Sequence, residues 1–358
     1  MSILFEPVSI GGLDLPNRVV MAPMTRCRAD QDGVPLPFVA EHYRQRADAG
    51  LIISEATAVC RLGAGYPCMP GVYTDDQQAA WAPVIDAVHE AGGRFVMQLI
   101  HTGRIGHSSV IGGNPVAPSA LTPGERVMAA DFSMQPFEAP TELDEAGIRA
   151  AIETYASAAA RAVAAGADGV EIHGANGYLI DQFLRTGANA REDGWGATPA
   201  GRARFLLEVT NAVTKAVGPE ATVGVRLSPW NPFNTMDDRN PGVTFRHASE
   251  ALAATAIHYL HVTEMGAPPA VRLPQQLTRD MARVFGRDVI VNGAYDAAKA
   301  GQVLEDPGAR ISAVAFGTPY IANPDLVRRM KEKLPLAKAD EATFYAGGEK
   351  GYTDYPVA

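Results

Sequence analysis

Eight short apolar runs, rich in Val and Ile, constrain the fold of this 358-residue chain more than any other feature. Helix-like stretches lie between them, and near-continuous apolar strands are typical of parallel sheets whose two faces are both covered. The runs are Arg18–Pro23, Leu51–Ala56, Arg94–Leu99, Gly169–Gly174, Thr222–Ser228, Tyr259–Glu264, Asp288–Gly293 and Ala313–Thr318. Eight strands alternating with helices predict an α/β fold, a single (β/α)8 TIM barrel spanning residues 1–358. An open doubly wound sheet is the alternative, but no GxGxxG opens a helix after the first strand.

Composition excludes several classes of protein. Hydrophobic residues make up 47% of the chain, enough for a sizeable core, and the net charge of -9 argues against a nucleic-acid partner. The three cysteines form no CxxC motif, so neither a disulfide framework nor a zinc ribbon is expected. We find no secretory signal in the first residues and no apolar run long enough for a membrane span. The expectation is a cytoplasmic enzyme without a membrane partner.

The longest irregular stretch, about 103–140, follows the third predicted strand and is rich in Gly and Pro. Loops after barrel strands gather at the catalytic end, so this extended loop region is expected to lie over the site. Residues Thr141–Asp144 resemble a capping box, with Asp144 where Glu usually stands, and predict a helix start. Near the C-terminus, Asn323 is the predicted N-cap of a helix whose first residue is Pro324.

Polar residues at the ends of the strands form the candidate site. Taken singly, Gln98 or Arg226 could be a satisfied buried polar group, and a lone His173 is more often structural. Together, His173 and Asn176 can donate to one oxygen that gains charge, while Tyr178 supplies a weak acid beside them. Such chemistry requires a source of electrons or hydride, which only a cofactor can supply.

Glycines end the last two strands, in Asn292–Ala294 and Phe316–Thr318. Barrels commonly build a phosphate site from these loops, which makes Gly293, Ala294, Gly317 and Thr318 candidate ligands, although the glycines could simply terminate strands. No metal site is expected, because His258 and His261 are three apart on a predicted strand and face opposite sides.

Several motifs resemble the flavin-dependent ene-reductases of the Old Yellow Enzyme family, in its branch with Thr beside the flavin. They are APMTR (22–26), SEAT (54–57), QLIHTGR (98–104), HGANGYLIDQFL (173–184), VRLSP (225–229), IANPDL (321–326) and GYTDYP (351–356). The resemblance covers essentially the whole chain, and the fourth motif is highly specific. It implies a barrel that binds FMN non-covalently, is reduced by NADPH or NADH, and reduces activated alkenes, which are small-molecule α,β-unsaturated carbonyl or nitro compounds.

The resemblance also implies roles for individual residues. His173 and Asn176 would hold the activating oxygen, and Tyr178 would protonate the α-carbon. Tyr345 would border the substrate pocket, and Ile100 stands in it where many relatives have Trp. The residues implied to contact FMN are Pro23, Met24, Thr25, Ala58, Gln98, Arg226, Gly293, Ala294, Gly317 and Thr318.

One departure from the family pattern concerns the cofactor phosphate. Relatives usually have Arg in place of Thr318, and a neutral hydroxyl makes a weaker bond to phosphate than a charged group does. Weaker FMN retention is therefore expected. Two other functions stay open, a flavin-binding barrel with impaired or lost turnover and a flavin-free lyase or isomerase. The physiological substrate, the preference between NADPH and NADH, the stereochemical outcome with Ile100 and the oligomeric state are left open.

Overall fold

Barrel strands and helices follow one another in a computed structural model that describes residues 2–267 and 274–358, with short additional strands near the amino terminus and after the third barrel strand. The strands are β1 (Val8–Ile10), β2 (Leu13–Leu15), β3 (Val19–Met21), β4 (Leu51–Ile53), β5 (Thr57–Ala58), β6 (Phe95–Ile100), β7 (Val116–Ala117), β8 (Arg126–Met128), β9 (Met134–Pro136), β10 (Thr141–Glu142), β11 (Gly169–Gly174), β12 (Thr222–Leu227), β13 (Tyr259–Thr263), β14 (Asp288–Asn292) and β15 (Ala313–Phe316). The α-helices are α1 (Val39–Arg44), α2 (Asp75–Glu90), α3 (Ser108–Ile111), α4 (Glu145–Ala164), α5 (Leu179–Leu184), α6 (Pro199–Val217), α7 (Pro241–Ala253), α8 (Gln276–Phe285), α9 (Ala297–Glu305), α10 (Thr318–Ala322) and α11 (Leu326–Glu332).

Eight parallel strands close into a barrel, which confirms the predicted (β/α)8 fold. Their order is β3-β4-β6-β11-β12-β13-β14-β15, and β15 pairs with β3 to complete the ring. Seven of the eight predicted apolar runs contain one of these strands, and the third run covers all of β6 except its last residue, Ile100. The prediction succeeds because side chains on both faces of a barrel strand are buried, which requires a nearly continuous apolar run.

Side chains alternate between the barrel interior and the surrounding helices. In β11, Val170 and Ile172 pack outward into the large core between strands and helices, whereas Glu171 and His173 occupy the other face. In β12, Val223, Val225 and Leu227 likewise belong to that outer core. Because the period is two, the intervening Arg226 lies inside the barrel.

The amino-terminal end of the barrel is closed by a hairpin. Strands β1 and β2 pair antiparallel, and Ile10 and Leu15 join a buried cluster of barrel-strand residues, among them Val20 and Leu51. The side-chain hydroxyl of Thr222 donates to the Gly11 carbonyl oxygen at 2.7 Å. The hairpin therefore covers this end of the barrel with apolar side chains.

The stretch after β6, predicted to be irregular, contains short elements. Strands β8 and β9 form a hairpin, and β10 pairs parallel with β7. Val127 lies in β8, and Phe137 directly follows β9. Both share a buried cluster with Ile100 and Tyr178. The region thus lies against the carboxyl-terminal end of the barrel, as expected.

Two predicted helix starts are wrong in detail. Asp144 is itself the N-cap of α4 and accepts from the Gly147 amide, so Thr141 lies in β10 and begins no capping box. Asn323 is the C-cap of α10, and the following helix has Asp325 as its N-cap. The Asn323 side chain instead joins two segments, because it donates to the carbonyl oxygens of Pro319 and Ala337. Among residues 2–267 and 274–358, no helix combines the length and hydrophobicity that a membrane crossing requires.

Candidate active site at the carboxyl-terminal end of the barrel

The barrel register brings the predicted polar residues into neighbouring positions. His173 lies directly opposite Arg226 across β11 and β12, and Gln98 lies opposite Glu171 across β6 and β11. Residues Pro23, Met24 and Thr25 follow β3 and are half-buried at the same end. The carboxyl-terminal ends of parallel strands meet at one end of a barrel, so these side chains surround one site.

A buried hydrogen-bond network around Glu171 forms the floor of the site. The carboxylate accepts from Gln98 Nε2 at 2.7 Å and from the Tyr259 hydroxyl at 3.1 Å, and it lies 2.9 Å from His261 Nδ1. Burial alone would raise the pKa of Glu171, but the bonds and charges of His261, Arg226 and Gln98 hold it below its ordinary value. Glu171 is therefore an ionised acceptor inside the barrel.

This network fixes the direction of the Gln98 amide. Its nitrogen is used by Glu171, so its carbonyl oxygen remains as the end available to an N–H donor. Arg226 complements it, because its Nη2 donates to Asn292 Oδ1 at 3.0 Å while its buried Nε has no hydrogen-bond partner in the described part of the chain. A buried donor without a partner is costly in a protein interior and points to a ligand that supplies an acceptor.

His173 presents a donor to the site. The Ala175 amide donates to His173 Nδ1 at 3.3 Å, which places the ring proton on Nε2 in the neutral imidazole. Burial, followed by the charges of Arg226 and His261, keeps the pKa of His173 well below its ordinary value. At neutral pH the ring is therefore neutral, with an Nε2–H group to donate.

Asn176 is held in a left-handed backbone conformation, at φ 58°. Its amide donates to Ser228 Oγ at 2.7 Å, and its carbonyl oxygen accepts from Asn234 Nδ2 at 2.8 Å. Gly177 follows with φ 79°, and its amide donates to Asp181 Oδ2. These bonds stabilise a turn that few non-glycine residues adopt, and they hold Asn176 beside His173.

Tyr178 is the N-cap residue of α5, and its ring packs edge-on against the His173 ring, with centroids 5.0 Å apart. Its hydroxyl lies 3.0 Å from the Tyr66 hydroxyl. Burial raises the pKa of Tyr178 to about 12, although hydrogen bonds from Tyr66 and Asn234 oppose the shift. The phenol therefore keeps its proton at neutral pH and can act as an acid.

The candidate phosphate ligands lie at the ends of adjacent strands. Strands β14 and β15 pair through Asn292 and Ala315, which brings Gly293 and Ala294 beside Gly317. Thr318 is exposed and is the first residue of α10. The cation Lys299 stands at the same loop, with Nζ 3.4 Å from the Ala294 carbonyl oxygen.

Two predicted contact residues are covered by protein atoms. Ala58 and Ile100 are 0% and 1% exposed, and Ile100 belongs to the cluster that contains Val127 and Phe137 of the loop region.

Tyr345 is half exposed in the carboxyl-terminal segment, which two arginines fasten to the loop after β3. Arg26 donates to the carbonyl oxygens of Phe344 and Gly351, and Arg28 donates to those of Thr343 and Ala346. Both guanidinium groups lie 5.1 Å from the centroid of the Tyr352 ring. The segment from Thr343 to Tyr352 is thus held against the loop that contains Thr25 and Arg26.

Sequence reasoning missed Glu171, Tyr66 and Asn231. Glu171 stands two residues before His173 in an apolar run, and strand alternation alone would have placed it on the same inner face. Tyr66 and Asn231 lie in loops and carry no periodic signal. Within the described residues, no group of three or more His, Cys, Asp or Glu could hold a metal ion.

The donor set fits the isoalloxazine ring of FMN. An amide carbonyl that accepts from N–H, together with an unpartnered guanidinium nitrogen, complements the pyrimidine side of a flavin, which carries one N–H and two carbonyl oxygens. Gly293, Ala294, Gly317 and Thr318 would hold the phosphate, and Thr25 would contact the ring. Together, the barrel and this polar end define a cofactor-dependent oxidoreductase.

Comparisons with known proteins identify the family. The model of the NADH:flavin oxidoreductase / NADH oxidase family matches residues 3–337. A Leishmania infantum protein named "Probable flavin mononucleotide-dependent alkene reductase" is 40% identical over 363 residues, covering 99% of this chain and 98% of the relative. The structure of the old yellow enzyme homologue from Zymomonas mobilis superposes with a TM-score of 0.94 at 40% identity, covering 99% of both chains. Morphinone reductase in complex with tetrahydroNAD superposes with a TM-score of 0.92 at 42% identity, covering 99% of this chain and 97% of that chain.

The chain belongs to the NADH:flavin oxidoreductase family, that is, the Old Yellow Enzyme family. It is an FMN-dependent oxidoreductase that takes its electrons from a nicotinamide cofactor, and activated alkenes are the substrates of its class.

Proposed function

We propose that this enzyme reduces the C=C bond of α,β-unsaturated carbonyl or nitro compounds, using NADPH or NADH. The observation that carries the proposal is the convergence of the neutral His173, Asn176 and the protonated Tyr178 beside the candidate flavin site. Two donors stabilise an oxygen that gains negative charge, and a phenol next to them can deliver a proton.

Each residue has a defined part in this reaction. Bound at the ends of the barrel strands by residues such as Gln98 and Arg226, reduced FMN would supply the hydride equivalent that the β-carbon receives. His173 Nε2–H and the Asn176 amide bind the activating oxygen and stabilise the charge that develops on it. Tyr178 donates its hydroxyl proton to the α-carbon, so the alkene gains one hydride and one proton in all. The neighbouring Tyr66 hydroxyl is suited to stabilise the tyrosinate until water returns the proton.

An anaerobic visible spectrum is the first experiment. A flavin band that bleaches with NADPH and returns with cyclohexenone would support both half-reactions. A protein that stays colourless and inert with added FMN would reject the proposal in favour of a flavin-free barrel. A band that bleaches but does not return with any activated alkene would favour the barrel with lost turnover.

Tyr178→Phe tests the role of the acid. The substitution keeps the ring against His173 and removes the proton, so flavin reduction by NADPH is expected to continue while alkene reduction slows by about 10²–10⁴-fold. Stopped-flow measurement of the two half-reactions checks this.

Tyr66→Phe is the matched control, because it removes one hydroxyl from the same pair. It is expected to slow alkene reduction less than Tyr178→Phe does. Equal losses in both half-reactions of Tyr178→Phe would show that Tyr178 has a structural role only.

A further inference from the structure

Asn231, in the loop after β12, is a buried amide in contact with Asn176. Its Nδ2 donates to Asn176 Oδ1 at 2.8 Å, and its own Oδ1 accepts from the Phe233 amide at 3.1 Å. The side chain is 5% exposed, so water does not compete strongly for either bond. No role for Asn231 follows from the family assignment or from the functions considered so far.

The order of these bonds fixes the direction of two side-chain amides. A backbone N–H can only donate, so the Phe233 amide requires the oxygen of Asn231 and turns its NH2 group towards Asn176. That NH2 group in turn requires the oxygen of Asn176. The NH2 group of Asn176 is then the end that remains for a ligand.

The backbone of Asn176 cannot easily compensate for a reversed amide. Ser228 Oγ accepts from its N–H, and Asn234 Nδ2 donates to its carbonyl oxygen, so the residue is fixed on both sides of its Cα. The left-handed conformation limits it further. The choice between donor and acceptor at the site is thus made at Asn231.

We propose that Asn231 is a positioning residue that fixes Asn176 as a hydrogen-bond donor and thereby selects ligands with an acceptor oxygen over ligands of similar shape with an N–H donor. The proposal rests on the proposed function, in which Asn176 binds the activating oxygen, and it specifies which chemical group that site accepts. Since His173 also presents an N–H group, both side chains then favour the same oxygen.

Asn231→Asp tests the proposal by reversing the amide. One carboxylate oxygen of the new Asp can still accept from the Phe233 amide. The other takes the place of the native Nδ2 donor, which lies 2.8 Å from Asn176 Oδ1. Two facing acceptors repel, so Asn176 is expected to turn its NH2 group to Asp and its oxygen to the ligand.

The readout is the ratio of two dissociation constants in the oxidised, FMN-loaded protein, measured by titration of the flavin absorbance. The probes are benzaldehyde, which offers an acceptor oxygen, and aniline, which offers N–H donors; both are flat and neutral. We expect Asn231→Asp to weaken benzaldehyde binding by about tenfold, the equivalent of one hydrogen bond, and to leave aniline binding equal or tighter. Parallel weakening of both probes, or no change in either, would overturn the proposal.

Asn231→Leu provides a test without an added charge and without dependence on the folding of the first variant. It removes the donor at nearly constant size, so Asn176 can adopt both orientations, and the ratio of the two dissociation constants is expected to shift in the same direction as in Asn231→Asp. An unchanged ratio in Asn231→Leu also overturns the proposal. Asn211→Asp, an exposed substitution on α6, is the control for net charge.

Measurements on the native protein distinguish failure of the role of Asn231 from failure of the proposed function. If it binds benzaldehyde and reduces cyclohexenone, but the ratio does not respond to Asn231, only the role of Asn231 fails. If the native protein binds neither probe and reduces no activated alkene, the proposed function fails first, and the role of Asn231 fails with it.

Discussion

At the scale of single residues, the direction of each hydrogen bond decides what a side chain can offer a ligand. Gln98 uses its NH2 group on Glu171, and His173 uses Nδ1 as an acceptor. The Gln98 amide is left with an acceptor for a ligand and the His173 imidazole with a donor, although either side chain can both donate and accept. Residue type alone could not predict this division, because the partners come from neighbouring strands and from local backbone.

Thr318 gives a prediction for a single residue at the candidate phosphate site. Thr318→Arg adds a charge at the exposed start of α10, and charge-assisted bonds to phosphate are stronger than neutral ones. We expect FMN to bind about tenfold more tightly, as measured by fluorescence titration of the apoprotein.

Ala254→Arg is the matched control for Thr318→Arg, since it adds the same charge at the C-cap of α7, which precedes β13 at the opposite end of the barrel. An FMN dissociation constant that is the same in the native protein and in Thr318→Arg would show that Thr318 does not face the phosphate.

At the scale of secondary-structure elements, Gly224 of β12 lies directly opposite Tyr259 of β13. A Cβ atom at this position would lie 2.1 to 2.5 Å from ring carbons of Tyr259, whose hydroxyl donates to Glu171. The glycine therefore makes room for the ring inside the barrel. Loss of this space would disturb the floor of the site together with the strand pair.

Gly224→Ala is accordingly expected to lower the free energy of unfolding by roughly 1–3 kcal/mol, the usual cost of overpacking a core. Urea denaturation measures the effect. Gly242→Ala is the control on α7, where the nearest atom to a new Cβ is 3.5 Å away and alanine favours the helix. Equal stabilities for the two variants would contradict the packing argument.

Elements with local signals were predictable, and those that depend on distant partners were not. The eight strands follow from their apolar runs. Asn323 and Pro324 carry the local signal of a helix start, but the Asn323 side chain binds Pro319 and Ala337 instead. Strand alternation places Glu171 on the inner face, but its contacts with Tyr259 and His261 of β13 reach past β12, and no local pattern predicts them.

At the scale of the whole molecule, a buried carboxylate links stability to pH. Burial raises the pKa of Glu55 to about 7, although the amides of Arg26 and Cys27 and the charges of Arg26 and Arg28 oppose the shift. The folded protein therefore binds a proton more tightly than the unfolded chain does, and Glu55 makes the free energy of unfolding fall as the pH rises from about 4.5 to about 7.

Glu55→Gln should remove this dependence while keeping an oxygen for the two amides. Between pH 5 and pH 7.5, the native protein is expected to lose about 2 kcal/mol more of its free energy of unfolding than Glu55→Gln loses. Urea denaturation at the two pH values tests this. Glu90→Gln, which removes an exposed carboxylate from α2, controls for the loss of one charge. Parallel pH profiles for the native protein and Glu55→Gln would contradict the expected role of Glu55.

The fastening of the carboxyl-terminal segment by Arg26 and Arg28 has a consequence for biosynthesis. Residues that follow the first barrel strand are bound by carbonyl groups more than 300 positions later, and the last barrel strand pairs with the first. A nascent chain emerging from the ribosome therefore contains the loop after β3 long before the segment that fastens this loop has been made. The loop after β3 can therefore make its final contacts only after the segment from Thr343 to Gly351 has been synthesised.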